Sequence, residues 1–370
     1  MDDARKATAP IKGRGAASRV AGRFEKTVRR GEDDGWGSVY DTSIDGGTPL
    51  APRPDSHVTE ERARSIISRN QSPDVGFNIS LNPYRGCEHG CVYCFARPSH
   101  AYLDLSPGLD FETRLYAKTN AVERLREELA RPGYVPETMA LGINTDAYQP
   151  IERRYRITRD VLELLAETKH PVSFVTKSGL IERDVDLLAR MARERLVTVY
   201  FSITTLDNHL ASKMEPRATA PHGKLRAMRA MRALREAGVP VGVMVAPVVP
   251  MITDHEIEHI LEAAKAHGAK AAGYVLLRLP HELKDVWREW LELHYPDRAA
   301  HVMSLVRQMR GGKDYDSRFG SRMRGEGPFA QLIEQRFRKA HARLGFGRLP
   351  PLDASRFVPP RKPSPQAELF

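Results

Sequence analysis

The chain has 370 residues, enough for one large domain or two modest ones, and 41% of them are hydrophobic, which suffices for a sizeable core. Its net charge of +10 is compatible with a nucleic-acid or other polyanionic partner but does not require one. No apolar stretch reaches the length of a membrane span, and the polar N-terminus predicts no signal peptide. Composition therefore predicts a soluble intracellular protein.

The chain begins with a segment that lacks a regular hydrophobic pattern. Residues 1–47 are rich in Gly, Ala, Arg and Asp, so we expect a largely irregular N-terminal tail and lead-in over residues 1–70. A short helix is predicted within this part, over Thr59–Ser68. Strand and helix patterns then alternate. The predicted strands are Phe77–Leu81, Met139–Asn144, Val172–Thr176, Val197–Ile203, Val239–Val245 and Gly273–Leu279.

This alternation of apolar strands and amphipathic helices indicates an α/β fold with a parallel sheet covered by helices. Six such units suit a partial (β/α)6 TIM-like barrel, and a doubly wound open sheet has the same rhythm. In both architectures, ligands bind at the carboxyl ends of the strands. We expect this core domain over residues 71–280, a helical C-terminal extension over 281–350 and a Pro-rich tail over 351–370.

All three cysteines of the chain lie in one short window, with the spacing C-x3-C-x2-C at Cys87, Cys91 and Cys94. Such clustering predicts a metal or redox role. A conventional 4Fe–4S cluster has a protein ligand on each iron, so three thiolates leave one iron open to another molecule. The main alternative is a structural zinc site completed by His89 or His100, although no second group of ligands follows downstream. Metal binding requires reduced thiols, which favours a cytoplasmic location.

The cysteine motif, with Tyr93 before its last cysteine, resembles the signature of the radical S-adenosylmethionine (radical SAM) superfamily. The wider run from Asn82 to Pro98 resembles the subgroup related to spore photoproduct lyase. The resemblance extends over residues 77–280 and implies a partial (β/α)6 barrel. It also implies a 4Fe–4S cluster on the three cysteines, with S-adenosylmethionine (SAM) on the open iron. An external electron donor such as flavodoxin or ferredoxin would reduce the cluster, and cleavage of SAM would give a 5′-deoxyadenosyl radical.

The resemblance further implies which residues contact SAM. Thr145 and Ser202 look like polar contacts, with Asp146 as a neighbour. Lys177 looks like the cation that faces the carboxylate, and the backbone of Tyr93 would lie near the adenine. Each of these residues also has an ordinary interpretation, as part of a turn or a strand.

One departure from the subgroup concerns the substrate. Spore photoproduct lyase carries an additional cysteine near the end of its second strand, which donates a hydrogen atom to a product radical. This chain has Ile143 and Asn144 in that neighbourhood and no fourth cysteine. The resemblance therefore carries over the cofactor chemistry, whereas the substrate stays unidentified.

Two hypotheses of different classes follow from the sequence. The first is a radical SAM enzyme that abstracts hydrogen from an unidentified substrate, for which nucleic acid is one candidate. The second is a non-enzymatic nucleic-acid-binding protein in which a metal stabilises the cysteine loop. The second predicts salt-dependent nucleic-acid binding and indifference to SAM.

Overall fold

A computed structural model of the protein describes residues 9–25, 44–45, 48–49, 54–218 and 223–360. Within these ranges the strands are β1 (Ile44–Asp45), β2 (Thr48–Pro49), β3 (His57–Glu61), β4 (Ile67–Arg69), β5 (Ile79–Leu81), β6 (Tyr84–Arg85), β7 (Arg114–Lys118), β8 (Met139–Leu141), β9 (Val172–Thr176), β10 (Val197–Ile203), β11 (Val241–Val248) and β12 (Ala271–Leu276). The α-helices are α1 (Asp110–Thr113), α2 (Ala121–Leu129), α3 (Glu152–Tyr155), α4 (Ile157–Glu167), α5 (Val185–Arg193), α6 (Asn208–Met214), α7 (Gly223–Glu236), α8 (Ile257–Ala266), α9 (Leu283–His294), α10 (Pro296–Gln308), α11 (Ser321–Arg324) and α12 (Gly327–Arg343). Short 3-10 helices occur at Arg97–Leu103, Gly179–Asp184 and Asp254–Glu256.

A seven-stranded sheet forms the centre of the molecule, in the order β12-β11-β10-β9-β8-β5-β4. Six of these strands, β5, β8, β9, β10, β11 and β12, pair in parallel. The seventh, β4, pairs antiparallel with β5 at one edge. The order keeps two edges, so the sheet does not close within the described residues. The predicted α/β fold is therefore confirmed as a partial barrel with a helical C-terminal extension.

The middle strands of the sheet were predicted most accurately. Val172–Thr176 and Val197–Ile203 have the predicted bounds, whereas the other four core strands differ at their ends. In β10 only Tyr200 is not buried. A strand that is buried on both faces reads as a continuous apolar run, and this pattern is clear in the sequence.

The predicted helix over Thr59–Ser68 is wrong, because this segment is extended and contributes to β3 and β4. The β3 strand pairs in parallel with β7. Downstream, the Asn120 side chain accepts from the Ala63 N–H (2.8 Å) and donates to its carbonyl (3.0 Å). The Glu128 carboxylate accepts from the backbone N–H groups of Ile66 and Ile67. These bonds to distant side chains override the helical propensity of the segment.

The C-terminal helices contribute a second hydrophobic cluster. In α9, Trp287 and Trp290 are buried, and their rings stack with centroids 5.0 Å apart. The two tryptophans are therefore core residues and do not offer exposed faces on which bases could stack. None of the helices in the described ranges has the length and apolarity needed to cross a membrane.

His170 precedes β9 and joins the C-terminal tail to the barrel. Its Nε2 lies 2.8 Å from the Tyr134 hydroxyl and its Nδ1 lies 3.1 Å from the Pro171 carbonyl oxygen. The Phe357 ring packs edge-on against the imidazole, with centroids 5.5 Å apart. Burial lowers the pKa of His170 to about 4. The neutral imidazole therefore donates from Nδ1 and accepts at Nε2.

We predict that His170 contributes to a loss of stability as the pH falls from about 6.5 to 4. In this window the imidazole is protonated in the unfolded state but not in the folded state. This difference lowers the free energy of unfolding by on the order of 3 kcal/mol. Substitution His170→Gln should flatten the pH dependence measured by urea unfolding. Substitution of the exposed His301→Gln is the control and should leave it unchanged. Equal slopes for the wild type and His170→Gln would contradict this interpretation.

Candidate active site

The three cysteines lie on the loop after β5 and β6, at the carboxyl end of the first parallel strand. Cys87 and Cys91 are buried, and Cys94 is partly buried. Gly90, within the loop, has a φ of 67°, and a Cβ there would lie 2.7 Å from a Glu112 carboxylate oxygen. Glycine is therefore required for the loop to turn at this point.

Backbone N–H groups lower the pKa of two of the thiols. That of Asp146 acts on Cys87, and those of Ala96 and Arg97 act on Cys94. Burial raises the pKa of all three thiols, and the charge of the Asp146 carboxylate raises that of Cys87 further. Thiolates in such a site need a compensating positive charge, which a metal–sulfur centre supplies. The sulfurs and the backbone N–H groups near them therefore fit an iron–sulfur group.

The surroundings of the loop do not favour a zinc site. Within the described ranges, no three His, Cys, Asp or Glu side chains are arranged to hold one metal ion. His89 Nδ1 lies 3.4 Å from an Asp146 carboxylate oxygen. His100 Nε2 lies 2.9 Å from the Arg114 carbonyl oxygen, and its ring packs on Phe111. One ring nitrogen of each candidate fourth ligand therefore contacts another group, and the case against zinc rests on the arrangement of the sulfurs. An iron–sulfur cubane uses one cysteine per iron and does not need three sulfurs on one ion.

A buried arginine holds the cysteine loop in place. Arg97 donates from Nε to the Cys91 carbonyl (2.8 Å), from Nη2 to the Gly90 carbonyl (3.2 Å) and from Nη1 to the Gly108 carbonyl (2.8 Å). Its ion pair with Glu112, at 2.5 Å, is fully buried on both sides. Because these carbonyls belong to the loop and to the segment beside it, Arg97 fixes the backbone that carries the sulfurs.

The N-terminal segment joins the same ion pair. The Glu112 carboxylate accepts from the backbone N–H groups of Gly15 (3.0 Å) and Ala16 (2.8 Å). Gly15 lies so close to the loop that a Cβ there would be 1.8 Å from the Gly90 carbonyl oxygen. Residues 9–25 therefore form part of the wall around the cysteine loop.

Lys177, the residue after β9, reaches a group of buried polar side chains that we call the Lys177 cluster. Its Nζ lies 3.0 Å from Ser202 Oγ, 3.0 Å from Thr204 Oγ1 and 3.2 Å from Glu215 Oε2. The Tyr93 hydroxyl donates to Glu215 and lies 2.8 Å from Thr204 Oγ1. Burial lowers the pKa of Lys177, but the charges of Glu215, Cys91 and Asp146 together outweigh it and the net pKa is raised. The cluster thus holds a charged ammonium beside the cysteine loop.

Thr145 and Asp146 follow β8 and contact the backbone around the site. Asp146 accepts from Thr176 Oγ1 and from the Lys177 N–H, both at 2.8 Å. Thr145 Oγ1 donates to the Gly86 carbonyl at 2.7 Å. In this structure the two residues therefore position the cysteine loop and Lys177. Of the residues predicted to contact SAM, Tyr93, Lys177 and Ser202 lie together, with Thr145 and Asp146 at the adjoining strand ends.

Sequence reasoning missed several residues of this site. Thr204 lies two positions after Ser202, and strand periodicity places both polar groups on one face of the strand end, although only Ser202 was assigned to SAM. Glu215 belongs to no recognisable motif, and Arg97 lies within the run from Asn82 to Pro98 without any signal of its role. The roles of both depend on contacts between distant segments. Gln149 donates to Thr145 Oγ1 at 2.8 Å and accepts from a loop N–H. None of these three had a pattern in the sequence that identified it.

The residues after β8 include no cysteine that could donate a hydrogen atom to a radical. Ile143 is partly buried and Asn144 is exposed, with its N–H donating to the Asn82 side chain. The chain has three cysteines in all, and each belongs to the loop. A hydrogen donor at this point must therefore be a different group from a cysteine.

Comparison with known proteins agrees with this arrangement. The family model of the radical SAM superfamily matches residues 81–264. An uncharacterized protein of Mycobacterium tuberculosis is 38% identical over 234 residues, which cover 63% of this chain and 68% of that protein. A radical SAM Nalpha-GlyT isomerase of Pseudomonas phage M6 is 26% identical over 195 residues, which cover 51% of this chain and 37% of that protein.

A solved structure has the same fold. A double variant of spore photoproduct lyase with bound AdoMet and dinucleoside spore photoproduct superposes with a TM-score of 0.54, at 16% identity, over 78% of this chain and 80% of that one. The chain therefore belongs to the radical SAM superfamily and is an enzyme of that class. Within the superfamily it resembles spore photoproduct lyase.

We predict that Arg97→Ala destabilises the protein by about 3–5 kcal/mol, because it leaves the buried Glu112 carboxylate without its cation. Urea unfolding under anaerobic conditions measures the change. The matched control is Arg343→Ala, which breaks an exposed pair with Glu262 and should cost less than about 1 kcal/mol. Equal unfolding midpoints for the two variants would show that the buried pair does not hold the loop.

Proposed function

We propose that the protein uses a 4Fe–4S cluster, held by Cys87, Cys91 and Cys94, to cleave SAM reductively and to abstract hydrogen from a substrate. The observation that carries this proposal is the largely buried loop, which brings three cysteines together, in a chain that has no fourth cysteine. When bound, the reduced cluster would supply the electron that cleaves the sulfonium to methionine and a 5′-deoxyadenosyl radical.

The residues around the loop would bind and orient SAM. The Lys177 ammonium would face the carboxylate, because it is a buried cation beside the cysteines. The hydroxyls of Ser202 and Thr204 can donate as well as accept. The SAM carboxylate could therefore take the place of one hydroxyl at the ammonium and accept a hydrogen bond from that hydroxyl. Thr145 and Asp146 would fix the loop and the backbone of Lys177. Tyr93, between the cysteines and the Lys177 cluster, would place its backbone near the adenine.

We further propose that the substrate is nucleic acid. The net charge of +10 supports a polyanionic partner. The spore photoproduct lyase structure of similar fold holds a dinucleoside photoproduct. Reduction would come from an external donor such as flavodoxin or ferredoxin, in the cytoplasm, where thiols stay reduced. Because no cysteine follows β8, the reaction would differ from photoproduct repair in its hydrogen donor.

Production of 5′-deoxyadenosine tests the cofactor chemistry. Wild-type protein reconstituted anaerobically with iron and sulfide, then given SAM and dithionite, should form this product. Substitution Cys91→Ala removes one of the three cluster ligands and should abolish its formation. A cluster that assembles and reduces but gives no product, with or without an added oligonucleotide, would refute the proposal.

The role of Lys177 is tested by the affinity for SAM. We expect Lys177→Met combined with Glu215→Gln to weaken SAM binding roughly 10- to 100-fold, because a charge-assisted hydrogen bond in a buried site is lost. The double change avoids leaving a buried carboxylate without a cation. Calorimetry on the reconstituted protein gives the dissociation constants.

Lys265→Met serves as the control for this experiment, because Lys265 donates to the Gly345 carbonyl far from the cysteine loop in sequence. It should bind SAM as the wild type does. Unchanged SAM affinity in the double variant would show that Lys177 does not face the carboxylate.

A further inference from the structure

An arginine outside the Lys177 cluster contacts the cysteine loop from the end of the sixth parallel strand. Arg278 lies two residues past β12, and its guanidinium carbon is 5.0 Å from the centroid of the Phe95 ring. Phe95 directly follows Cys94 and is 41% exposed. An accessible aromatic ring and a cation therefore lie together immediately beside a proposed cluster ligand.

Arg278 has weak partners for a charge in this position. Its Nη2 lies 3.4 Å from the Tyr315 hydroxyl, and its Nη1 lies 3.5 Å from the Met323 sulfur. Its Nε is buried, with no hydrogen-bond partner in the described part of the chain. The Asp74 carboxylate is close enough to interact electrostatically, but its oxygens accept from Arg322 and from a backbone N–H. The guanidinium is thus a strong donor without a matching anion among the described residues.

The surrounding segment is fixed rather than loosely placed. Arg310 is buried and donates to the carbonyls of Leu277 (2.7 Å), Ser321 (2.9 Å) and Arg322 (2.9 Å). Burial and, to a smaller extent, the nearby charge of Arg278 lower the pKa of Arg310 to about 10. Two cations are therefore held close together, which increases the affinity of this surface for an anion.

A second pair of an arginine and an aromatic ring adjoins the first. The Arg322 guanidinium carbon lies 4.7 Å from the centroid of Phe319, a ring that is 59% exposed. Arg322 precedes Met323, the residue that Arg278 contacts. Exposed rings beside arginines are typical of surfaces that bind single-stranded nucleic acid, in which bases stack and cations contact the backbone. Arg322 itself pairs with Asp74, so it holds Phe319 in place and the charge left for a phosphate is that of Arg278.

We propose that Phe95, Arg278, Phe319 and Arg322 form a binding surface for single-stranded nucleic acid, with Arg278 on a phosphate and Phe95 stacked on a base. This inference rests on the proposed function and assigns the substrate contacts of the same site. The position of Phe95 next to Cys94 brings the stacked nucleotide to the place where the radical is formed. An acidic peptide could pair with Arg278 but would leave the two exposed rings without stacking partners.

Fluorescence anisotropy with a labelled oligothymidylate of about twelve nucleotides tests this surface, using full-length reconstituted protein over a series of salt concentrations. Arg278→Gln should raise the dissociation constant about tenfold and reduce the salt slope by about 0.7, the value for one phosphate contact on a single strand. The control Arg338→Gln removes the same charge from the exposed face of α12 and should stay within about twofold of the wild type.

Two further variants separate charge from stacking. Arg278→Lys should retain the salt slope, and Phe95→Ala should weaken binding about tenfold while keeping the slope. Circular dichroism would show that each variant is folded. Wild-type affinity in Arg278→Gln, or an equal loss in Arg338→Gln, would overturn the inference. Displacement of the strand by polyglutamate at equal charge would overturn the assignment to nucleic acid.

Formation of 5′-deoxyadenosine by the wild-type protein separates this inference from the proposed function. If the product forms but the strand does not bind through Arg278, the inference is wrong and the function stands. If the strand binds through Arg278 and Phe95 but no product forms, the inference stands and the proposed function is wrong.

Discussion

The candidate site depends on one buried guanidinium. Arg97 donates to carbonyls of the cysteine loop, and its pair with Glu112 also holds the N-terminal segment against that loop. A buried ion pair of this kind contributes little net stability, because desolvation of both charges offsets their attraction. Removal of one partner is nevertheless costly, so the pair determines which conformation of the loop is accessible. The directions of the three sulfurs follow from that conformation.

Two cations beside the cysteine loop, Lys177 and Arg278, differ in whether an anion pairs with them. Lys177 is charged and paired with Glu215, and its position is fixed by hydroxyls and by the bond from its N–H to Asp146. Such an ammonium is preorganised for a carboxylate that replaces one neutral partner. Arg278 has no comparable anion among the described residues and lies against an exposed ring. This difference suits a site in which one cation binds a cofactor and the other a substrate.

The sequence predicted the parts of the structure that depend on local patterns. Val172–Thr176 and Val197–Ile203 are rich in β-branched and aromatic residues, and both strands have the expected bounds. The cysteine spacing identified the loop, because clustered thiols have few other uses. The helix predicted over Thr59–Ser68 was wrong because side chains far along the chain, such as that of Glu128, bind the backbone of this segment in an extended form. Glu215 was missed for a similar reason: its partners come from strand ends that only the folded sheet brings together.

The proposed cluster on the three cysteines would leave one iron open to SAM. Electron–nuclear double resonance on the reduced, anaerobically reconstituted protein tests it most directly, with SAM labelled by nitrogen-15 in the amino group or oxygen-17 in the carboxylate. Coordination of the open iron predicts a hyperfine coupling from each label to the cluster signal. A reduced cluster with a clear signal and no coupling to either label, at saturating SAM, would show that the cluster does not bind SAM through an open iron.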